Sequence, residues 1–243
     1  MTIGVVTSAW GTYGQYLPDW VESVAMQTRL PDRVTLIDCG LDDPRPGLDA
    51  LEASGLPYTY LKVPYRGMGC ARNCAVAETD TEWIMHLDAD DVLLPHALED
   101  VEGLAPGHDV VSVGVMRGDK EITFPHVSAR TILRGQPGCL SSAAYRKLFW
   151  HHRPYITVND YIESALWVGF AHLGARFVAT SRPGFVYRQF TTSHSHTLTK
   201  REKQDALDQF WRLCNHWYLP DPAPGHAKSW RGPADSGFGV RVG

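Results

Sequence analysis

Short apolar runs alternate with stretches of helical spacing in the first part of the chain. Residues 3–6 are mostly β-branched, positions 18–27 carry apolar residues at helical spacing, and a second apolar run follows at 34–37. A strand, a helix and a strand in this order predict a parallel pair joined by a right-handed crossover. We therefore expect an open α/β sheet, whose ligands bind beyond the carboxyl ends of its strands.

The alternation of strand and helix patterns continues to about residue 127. The further predicted elements are strands at 58–63 and 83–87, a helix at 67–78 between them, and strands at 109–116 and 121–127. Pro95 marks the first turn of another helix, because its fixed φ angle suits that position. Gly118-Asp119 lies between the last two strands, and such a pair favours a β-hairpin.

The second part of the chain is richer in glycine, aromatic and polar residues. The elements predicted there are a helix at 159–174, strands at 177–180 and 184–190, and an amphipathic helix at about 200–217. Asn159 or Asp160 is expected to cap the start of the first helix, and Gly174 to end it.

The length and composition favour one main domain. With 243 residues, 44% of them hydrophobic, the chain can bury a substantial core and lies in the size range of a single α/β domain with embellishments. Proline, glycine and charged residues dominate at the C-terminus. We therefore predict a domain over 1–218, with halves at 1–117 and 118–218, and an irregular tail over 219–243.

Charge and cysteine content narrow the class of protein. The net charge of −4 comes without any run of lysine or arginine, so we expect no nucleic acid partner. The N-terminus lacks a basic segment and no apolar stretch is long enough to cross a bilayer, so we expect neither a signal peptide nor a transmembrane segment. Five cysteines without a C-x-x-C pair suit reduced thiols, and we predict a cytoplasmic protein.

Three carboxylates follow directly after the predicted strand at 83–87. Asp88, Asp90 and Asp91 lie on one short loop at the expected ligand-binding edge of the sheet. Mg²⁺ and Mn²⁺ accept one or two protein carboxylates and take further ligands from water and substrate phosphates. The loop is therefore a candidate site for a divalent ion, although about one Asp-x-Asp arises by chance in a chain of this length. A turn-forming acidic loop without a ligand is the alternative.

Three sequence runs make the interpretation more specific. They are Gly67–Asn73, Glu82–Asp91, which ends in the acidic loop, and Ile37–Gly40. In order and spacing they resemble the core of family 2 glycosyltransferases with the GT-A fold, and the resemblance extends over about residues 3–196. It implies an open, mostly parallel Rossmann-like sheet flanked by helices, with a smaller C-terminal region on the acceptor side. The Gln-x-x-Arg-Trp motif and membrane helices of the processive members are missing, which implies transfer of a single sugar.

The resemblance implies a donor site in the half 1–117. Thr7 and Ser8 would cradle the nucleoside, and Asp38 would accept a hydrogen bond from the base, with uracil and thus a UDP-sugar favoured. Arg72 would contact the base or a phosphate, because its guanidinium fork donates to two acceptors at once. From the residues alone, Asp38 is equally a loop aspartate, and the alternative for Arg72 is a surface arginine of its helix.

The resemblance also implies a metal centre at the acidic loop. Asp90 would bind a Mn²⁺ or Mg²⁺ ion that bridges the diphosphate, with Asp88 and Ala89 at the ribose or the metal. Imidazole can complete such a metal shell, and the polar loop after the last strand offers His194, which we favour, or His196. Loop histidines are equally often solvated without any ligand.

A base for the transfer is implied at the start of the helix predicted over 159–174. Asn159-Asp160 resembles the acidic pair with which the family begins a helix, so Asp160 would take the acceptor proton in an inverting transfer. The alternative is a plain helix cap, in which Asp160 and Glu163 form a pair like a capping box. Further along, Phe190 stands where a histidine is common in the family.

The sequence thus predicts a metal-dependent, inverting glycosyltransferase. Its partners would be a nucleoside diphosphate sugar donor and an unknown acceptor, which is a glycan, a lipid-linked sugar, a protein or a small molecule. A nucleotidyltransferase that makes nucleotide sugars shares this architecture, but residues 3–14 lack the long glycine-rich loop with a basic residue that is typical of those enzymes. A non-catalytic nucleotide-sugar-binding module is the third alternative.

Overall fold

The computed structural model describes residues 1–136, 138–157 and 161–190, together with positions 199, 201, 204, 205 and 208. Its strands are β1 (Ile3–Gly11), β2 (Arg33–Leu41), β3 (Tyr58–Lys62), β4 (Trp83–His86), β5 (Val92–Leu93), β6 (Val110–Arg117), β7 (Lys120–Ile122), β8 (Ala144–Arg146) and β9 (Phe177–Val186). Its helices are α1 (Leu17–Ala25), α2 (Arg45–Ser54), α3 (Met68–Ala77), α4 (Ala97–Leu104), α5 (Ala129–Leu133), α6 (Lys147–His152) and α7 (Ile162–His172). A 3₁₀ helix over Thr12–Tyr16 joins β1 to α1.

The strands form one sheet in which most of them run in the same direction. Their order is β3-β2-β1-β4-β8-β6-β9-β5, and β7 pairs with β6. The pairings make β1, β2, β3, β4, β6 and β9 run in one direction, whereas β5, β7 and β8 are antiparallel to their neighbours. The helices between β1, β2, β3 and β4 return the chain to the same edge of the sheet, which is the crossover expected of parallel strands. The predicted open, mostly parallel α/β sheet is confirmed.

The sheet separates two apolar cores. One contains buried residues of α1, α2 and α4, including Trp20 and Val24, and the other contains buried residues of α3 and α7. Buried residues lie all around α7, and its Trp167 and Phe170 are almost completely buried. A helix that is apolar all round is expected in an interior, and burial of a ring such as that of Phe170 stabilises the fold by about 1.5–3 kcal/mol.

Several short elements escaped the sequence prediction. The helix α2 buries only Gly47 and Leu51, so its apolar pattern is too sparse to mark a helix. The strand β8 has three residues and becomes a strand through its antiparallel pairing with β4 and β6. The local apolar pattern cannot predict such strand pairings, because the paired strands lie far apart in the sequence.

Several predicted elements have different bounds from those observed, and β1 and β2 extend past their predicted ends at residues 6 and 37 to Gly11 and Leu41. The strands predicted at 177–180 and 184–190 are one strand, β9, and its pairing with β6 is irregular next to Pro183, which is where a sheet tolerates a proline. The strand predicted to reach residue 127 was wrong beyond Ile122. The helix α7 begins later than predicted, at Ile162, with Tyr161 as its N-cap residue.

The C-terminal part is described only at single positions. Of the helix predicted over about 200–217, positions 201, 204, 205 and 208 are helical, and the predicted tail over 219–243 lies outside the described residues. The division into halves at residue 117 stays a prediction. No helix in the part of the chain that the structure describes has the length and apolar content needed to span a membrane.

Glycines at the start of α3 allow a second chain segment to cross it closely. Gly67 has a φ angle of 98°, which residues with a side chain rarely adopt. A Cβ atom on Gly69 would lie 1.9 Å from the carbonyl oxygen of Ile156. The crossing segment is held by Asn73, whose Nδ2 donates to the carbonyl oxygen of Tyr155 over 2.9 Å. Glycine at position 69 is therefore required by a contact between distant parts of the chain.

Replacing Gly69 with alanine is expected to lower the free energy of unfolding by about 1–3 kcal/mol, because the added methyl group overpacks the crossing. Gly103 in α4 is the matched control, since an added Cβ there meets nothing within 4 Å. Its replacement with alanine is expected to raise the free energy of unfolding by up to about 1 kcal/mol. Urea titrations measure both changes, and equal stabilities of the two variants would contradict the close crossing at Gly69.

Candidate functional site

Three neighbouring strands bring polar residues towards the carboxyl edge of the sheet. In β1, Thr7 and Ser8 are buried, and the register pairs Ala9 with Asp38 of β2. The strand β4 pairs with the other side of β1 and ends at His86, two residues before Asp88. The residues predicted to bind the nucleoside and those predicted to bind a metal therefore lie at the same edge.

The hydroxyl group of Thr7 is buried without a partner. It makes no hydrogen bond within the described residues, although the residue has no exposed surface. Buried polar side-chain atoms in folded proteins nearly always have a hydrogen-bond partner. A ligand or a water molecule beside the middle of β1 would supply the missing bond.

The acidic loop is a tight turn. The amide of Asp91 donates to the carbonyl oxygen of Asp88 over 3.0 Å. The turn carries the carboxylates of Asp88, Asp90 and Asp91, whereas the methyl group of Ala89 is buried in the apolar core. Ala89 can therefore offer a ligand only its backbone groups.

The carboxylates of the turn repel one another in a partly buried setting. Burial and the charge of Asp88 raise the pKa of Asp90 to about 6. Burial, followed by the charges of Asp88 and Asp90, raises the pKa of Asp91 well above its usual value. For Asp88, burial acts to raise the pKa, but the charge of Arg72 and further partners outweigh burial and lower it. A divalent cation would remove this repulsion, so the turn fits such an ion in charge and in oxygen ligands.

The turn supplies only part of a metal shell. In the described ranges no three side chains of His, Cys, Asp or Glu are grouped so that they could hold an ion. Asp91 is fully buried, and its Oδ1 accepts from the backbone amide of Arg188 over 2.9 Å, so it holds the end of β9 against the turn. Asp88 and Asp90 remain as candidate ligands. Mg²⁺ and Mn²⁺ commonly use one or two carboxylates and complete their shell with water and phosphate oxygens.

Asp38 shapes the end of β2 through its carboxylate. Its Oδ1 accepts from the amides of Gly40 and Leu41 over 2.8 and 2.7 Å, and its Oδ2 accepts from the hydroxyl group of Tyr60 over 2.6 Å. Burial acts to raise the pKa of Asp38, but these hydrogen bonds outweigh it and lower the pKa. Asp38 has no exposed surface. Its contact with a base therefore stays a prediction, and the base could reach this carboxylate only if neighbouring groups moved away.

Arg72 joins the acidic turn to α7. It is 5% exposed, its Nη2 donates to Oδ1 of Asp88 over 2.8 Å, and its Nη1 donates to Oε1 of Glu163. Its guanidinium group also lies 5.7 Å from the ring centre of Tyr155. The alternative of a surface arginine is therefore wrong. The predicted contact with a base or phosphate stays a prediction, because carboxylates occupy both ends of the fork.

Arg188, whose pair Tyr187-Arg188 resembles the tyrosine-arginine strand end of the family, contacts the acidic turn. It follows β9, its Nε donates to the carbonyl oxygen of Asp90, and its Nη1 donates to Oδ2 of Asp19 over 2.6 Å. The guanidinium group lies 5.5 and 5.8 Å from the ring centres of Tyr16 and Phe190. Arg188 thus fixes the backbone of the acidic turn and links it to Asp19 of α1.

Aromatic side chains border the acidic turn. The rings of Tyr16 and Phe190 stack at 4.4 Å, so Phe190 fills its position by packing where a histidine was expected from the family. The ring of Tyr13 lies 5.2 Å from that of Trp10. Burial, and then the charges of Asp90 and Asp88, raise the pKa of Tyr13 to about 12, as expected for a phenol close to the turn.

Three predicted site residues lie outside the described part of the chain. They are the predicted base Asp160 and the predicted metal ligands His194 and His196. Their roles stay predictions. Glu163, in the first turn of α7, is described, and its carboxylate contacts Arg72. The alternative in which it caps the helix together with Asp160 stays untested, because Asp160 lies outside the described residues.

Sequence comparison places most of the chain in one family. The family model "Glycosyl transferase family 2" matches residues 5–167. A protein of Haemophilus influenzae described as "Uncharacterized glycosyltransferase" is 32% identical over 87 residues, which are 35% of this chain and 33% of that protein. The alignment thus spans about a third of the length of this curated relative.

Solved structures of glycosyltransferases share the fold. S. aureus TarS 1-349 in complex with UDP-GlcNAc superimposes with a TM-score of 0.71 at 18% identity, over 90% of this chain and 68% of that chain. The mannosyltransferase PcManGT from Pyrobaculum calidifontis, in complex with GDP-Man and Mn²⁺, gives 0.65 at 17% identity, over 94% and 67%. At sequence identities of 17–18%, these superpositions show a shared fold only. The predicted GT-A fold is confirmed.

Proposed function

The chain belongs to glycosyl transferase family 2, and on this basis we propose that it transfers one sugar from a nucleoside diphosphate sugar to a hydroxyl group of an acceptor. The observation that carries the proposal is the acidic turn at the carboxyl edge of a mostly parallel sheet. Carboxylates at this edge suit a divalent ion that binds two linked phosphates. The family match includes both this turn and α3, which precedes it.

The donor nucleoside is proposed to bind at the ends of β1 and β2. Thr7 has a hydroxyl group without a partner among the described residues, and Ser8 follows it in the same strand. Asp38 already accepts three hydrogen bonds, and a carboxylate has about four acceptor positions. A hydrogen-bond donor of the nucleotide base would occupy the remaining acceptor position of the Asp38 carboxylate. The sequence favours a UDP-sugar, and GDP-mannose enters the test because a structure with the same fold carries it.

A Mn²⁺ or Mg²⁺ ion is proposed to bind Asp90, with Asp88 at the metal or the ribose. The raised pKa of Asp90 supports the proposal, because burial and repulsion by Asp88 cause it and a cation would relieve the repulsion. When bound, such an ion neutralises the charge that develops on the leaving diphosphate. Arg188 holds the backbone of Asp90, and Arg72 holds Asp88. Either His194 or His196 is proposed as a further ligand, with His194 favoured.

The acceptor hydroxyl needs a base that lies apart from the metal ligands. A carboxylate at the start of α7 suits this role, and the sequence predicts Asp160. A single displacement at the anomeric carbon inverts its configuration, so we propose an inverting transfer. The acceptor itself is left open as a glycan, a lipid-linked sugar, a protein or a small molecule.

Thermal unfolding with UDP-GlcNAc or GDP-mannose, each with and without Mn²⁺, tests the donor site. One of the two is expected to raise the melting temperature only when Mn²⁺ is present, and ligand at 100 times its dissociation constant adds about 2.7 kcal/mol to the free energy of unfolding. Product analysis then defines the reaction. Release of the nucleoside diphosphate supports glycosyl transfer, release of pyrophosphate identifies a nucleotidyltransferase, and binding without turnover identifies a binding module.

A further inference from the structure

The sheet separates a layer of acidic helices from a layer of more basic ones. The first layer contains α1, α2 and α4, and these helices carry seven acidic residues and one basic residue. The second layer contains α3, α5, α6 and α7, with one acidic residue, three basic residues and three histidines. We call the two the acidic layer and the basic layer. The charge of the protein is therefore distributed unevenly across its sheet.

The cations at the surface of the basic layer have few acidic partners. Arg130 of α5 and Arg134, its C-cap residue, are exposed, and neither forms an ion pair within the described part of the chain. Arg146, just before α6, and Arg176, just before β9, both contact the carboxylate of Asp109. One negative charge there faces two positive charges. The surface around α5 and α6 thus keeps an excess of positive charge.

The acidic residues close to α6 lie at its first residue. Lys147 donates from Nζ to the carbonyl oxygen of Thr79 over 2.7 Å. Burial lowers the pKa of Lys147, against the charges of Asp80 and Glu78, which act to raise it. The charge of Lys147 is therefore compensated locally, and the excess of positive charge comes from the arginines on either side of the helix.

Two leucines are exposed beside these cations. Leu148 of α6 is 61% exposed, and Leu173, the C-cap residue of α7, is 39% exposed. His151 and His152 follow Leu148 after three and four residues and are exposed as well, so they share its face of α6. A single exposed leucine is common on protein surfaces. Leucines next to cations that lack acidic partners are a more specific combination.

The contact between α6 and α7 brings the two leucines to the same side of the sheet. The ring centres of Phe149 and Phe170 lie 5.6 Å apart. Phe149 follows Leu148, and Phe170 precedes Leu173 by about one helical turn. The helix α5 contributes to the same apolar core as α6 and α7. The exposed leucines and the arginines of α5 therefore belong to one layer.

We propose that the outer surface of the basic layer binds a membrane with anionic lipid headgroups. The proposal goes beyond the transfer of a sugar and does not depend on it. Anionic membranes attract arginine and lysine side chains near their surface, and apolar side chains between such cations enter the boundary of headgroups and acyl chains. The basic layer offers both kinds of side chain, whereas an anionic surface repels the acidic layer.

Cosedimentation with lipid vesicles tests the proposal. The full chain is mixed with vesicles of phosphatidylcholine alone, or of equal parts phosphatidylcholine and phosphatidylglycerol, at about 0.05 M and about 0.5 M NaCl. We expect binding to the phosphatidylglycerol vesicles at the lower salt concentration. Binding should be at least about tenfold weaker at the higher salt concentration and to phosphatidylcholine alone. No binding to the phosphatidylglycerol vesicles, or equal binding to both kinds of vesicle, overturns the proposal.

Substitution of an exposed apolar residue in each layer tests the orientation. Leu148→Ser is expected to weaken binding to the phosphatidylglycerol vesicles about three- to tenfold, because it removes an apolar side chain from the membrane boundary. Met26→Ser is the matched control. Met26 is 64% exposed at the end of α1, in the acidic layer, and its replacement should change binding less than about twofold. Equal losses in the two variants contradict the proposed orientation.

Substitution of exposed arginines tests the charge contribution. Arg130→Gln combined with Arg134→Gln is expected to weaken binding at low salt at least about tenfold, since each cation near an anionic membrane contributes about fivefold. Arg45→Gln is the control, because Arg45 is 77% exposed on α2 in the acidic layer, and it should bind as the wild type does. Unchanged binding of the double variant overturns the proposal.

Two further measurements separate this proposal from other failures. Thermal unfolding without vesicles should be nearly the same in all these variants, because the substituted side chains are exposed. Nucleoside diphosphate release measures the proposed function independently of vesicle binding. A protein that binds the vesicles but releases no nucleoside diphosphate lacks only the proposed function, and one that releases it but ignores the vesicles lacks only the membrane surface.

Discussion

Replacing Asp90 with asparagine is expected to lower the turnover of a nucleoside diphosphate sugar by at least about 100-fold, because stabilisation of the charge on the leaving group usually contributes most to such catalysis. The substitution keeps the size of the side chain and removes the charge that a divalent ion needs. The melting-temperature rise that Mn²⁺ and nucleotide produce together should disappear in the same variant. Rates of nucleoside diphosphate release and thermal unfolding measure the two effects.

The matched control for Asp90→Asn is Asp49→Asn. Asp49 is exposed on α2 and lies 3.9 Å from Arg45 in a solvent-exposed pair, whose contribution to stability is expected to be small. Its turnover and its response to Mn²⁺ should equal those of the wild-type protein. If Asp90→Asn kept its response to Mn²⁺, the acidic turn would not be the metal site.

In the absence of metal, Asp90→Asn is expected to raise the free energy of unfolding. The pKa of Asp90 is raised from 3.8 to about 6, so the folded state binds this proton more tightly than the unfolded chain does. The corresponding stabilisation is present below pH 3.8 and is lost as the pH rises through about 6. At pH 7.5 without metal, Asp90→Asn should therefore exceed the wild type by about 1–2 kcal/mol in free energy of unfolding.

The stability difference between Asp90→Asn and the wild type is expected to depend on pH and on Mn²⁺. The advantage of Asp90→Asn should shrink between pH 7.5 and pH 4.5, and Mn²⁺ should reverse it at pH 7.5 by stabilising only the wild type. Urea titrations at these pH values with EDTA or with Mn²⁺ measure the differences. A variant that is less stable than the wild type at every pH would mean that the carboxylates of the turn do not repel one another.

Replacing Arg72 with leucine is expected to lower the free energy of unfolding by about 2–3 kcal/mol. Loss of one partner from a buried ion pair typically costs about 3–5 kcal/mol, and the partial exposure of Asp88 and Glu163 reduces this cost. Nucleoside diphosphate release should also fall, because the two carboxylates lose their common support. Urea denaturation and the release assay measure the two quantities.

A second arginine pair provides the control for Arg72→Leu. Arg182 of β9 forms two hydrogen bonds with Asp100, at 2.8 and 2.7 Å, and its side chain is 51% exposed. Exposed pairs contribute little to stability, so Arg182→Leu should change stability little and leave the release assay unchanged. Similar losses in the two variants would contradict the central position of Arg72.

The sequence determined the architecture and the location of the site. Apolar periodicity and the positions of glycine and proline are local signals, and they predicted β1, α1, β2 and the parallel arrangement. They also placed Thr7, Asp38 and the acidic turn after apolar strand runs, towards one edge of a parallel sheet. The observed β1 and β2 continue past Thr7 and Asp38 to Gly11 and Leu41. The motif spacing over α3 and the turn was specific enough to predict the family.

The tertiary structure decided what the individual polar side chains contact. Asp38 accepts from amides at the end of its own strand β2, Asp91 accepts from the amide of Arg188 just after β9, and Arg72 joins Asp88 to Glu163. The partner of Asp91, Arg188, lies 97 positions away in the sequence, and Glu163 lies 91 positions from Arg72. The periodicity of a segment predicts which of its faces is buried. It does not predict which distant element supplies the ion-pair or hydrogen-bond partner of a single buried charge on that face. Only the assembled sheet and helices bring that element into contact.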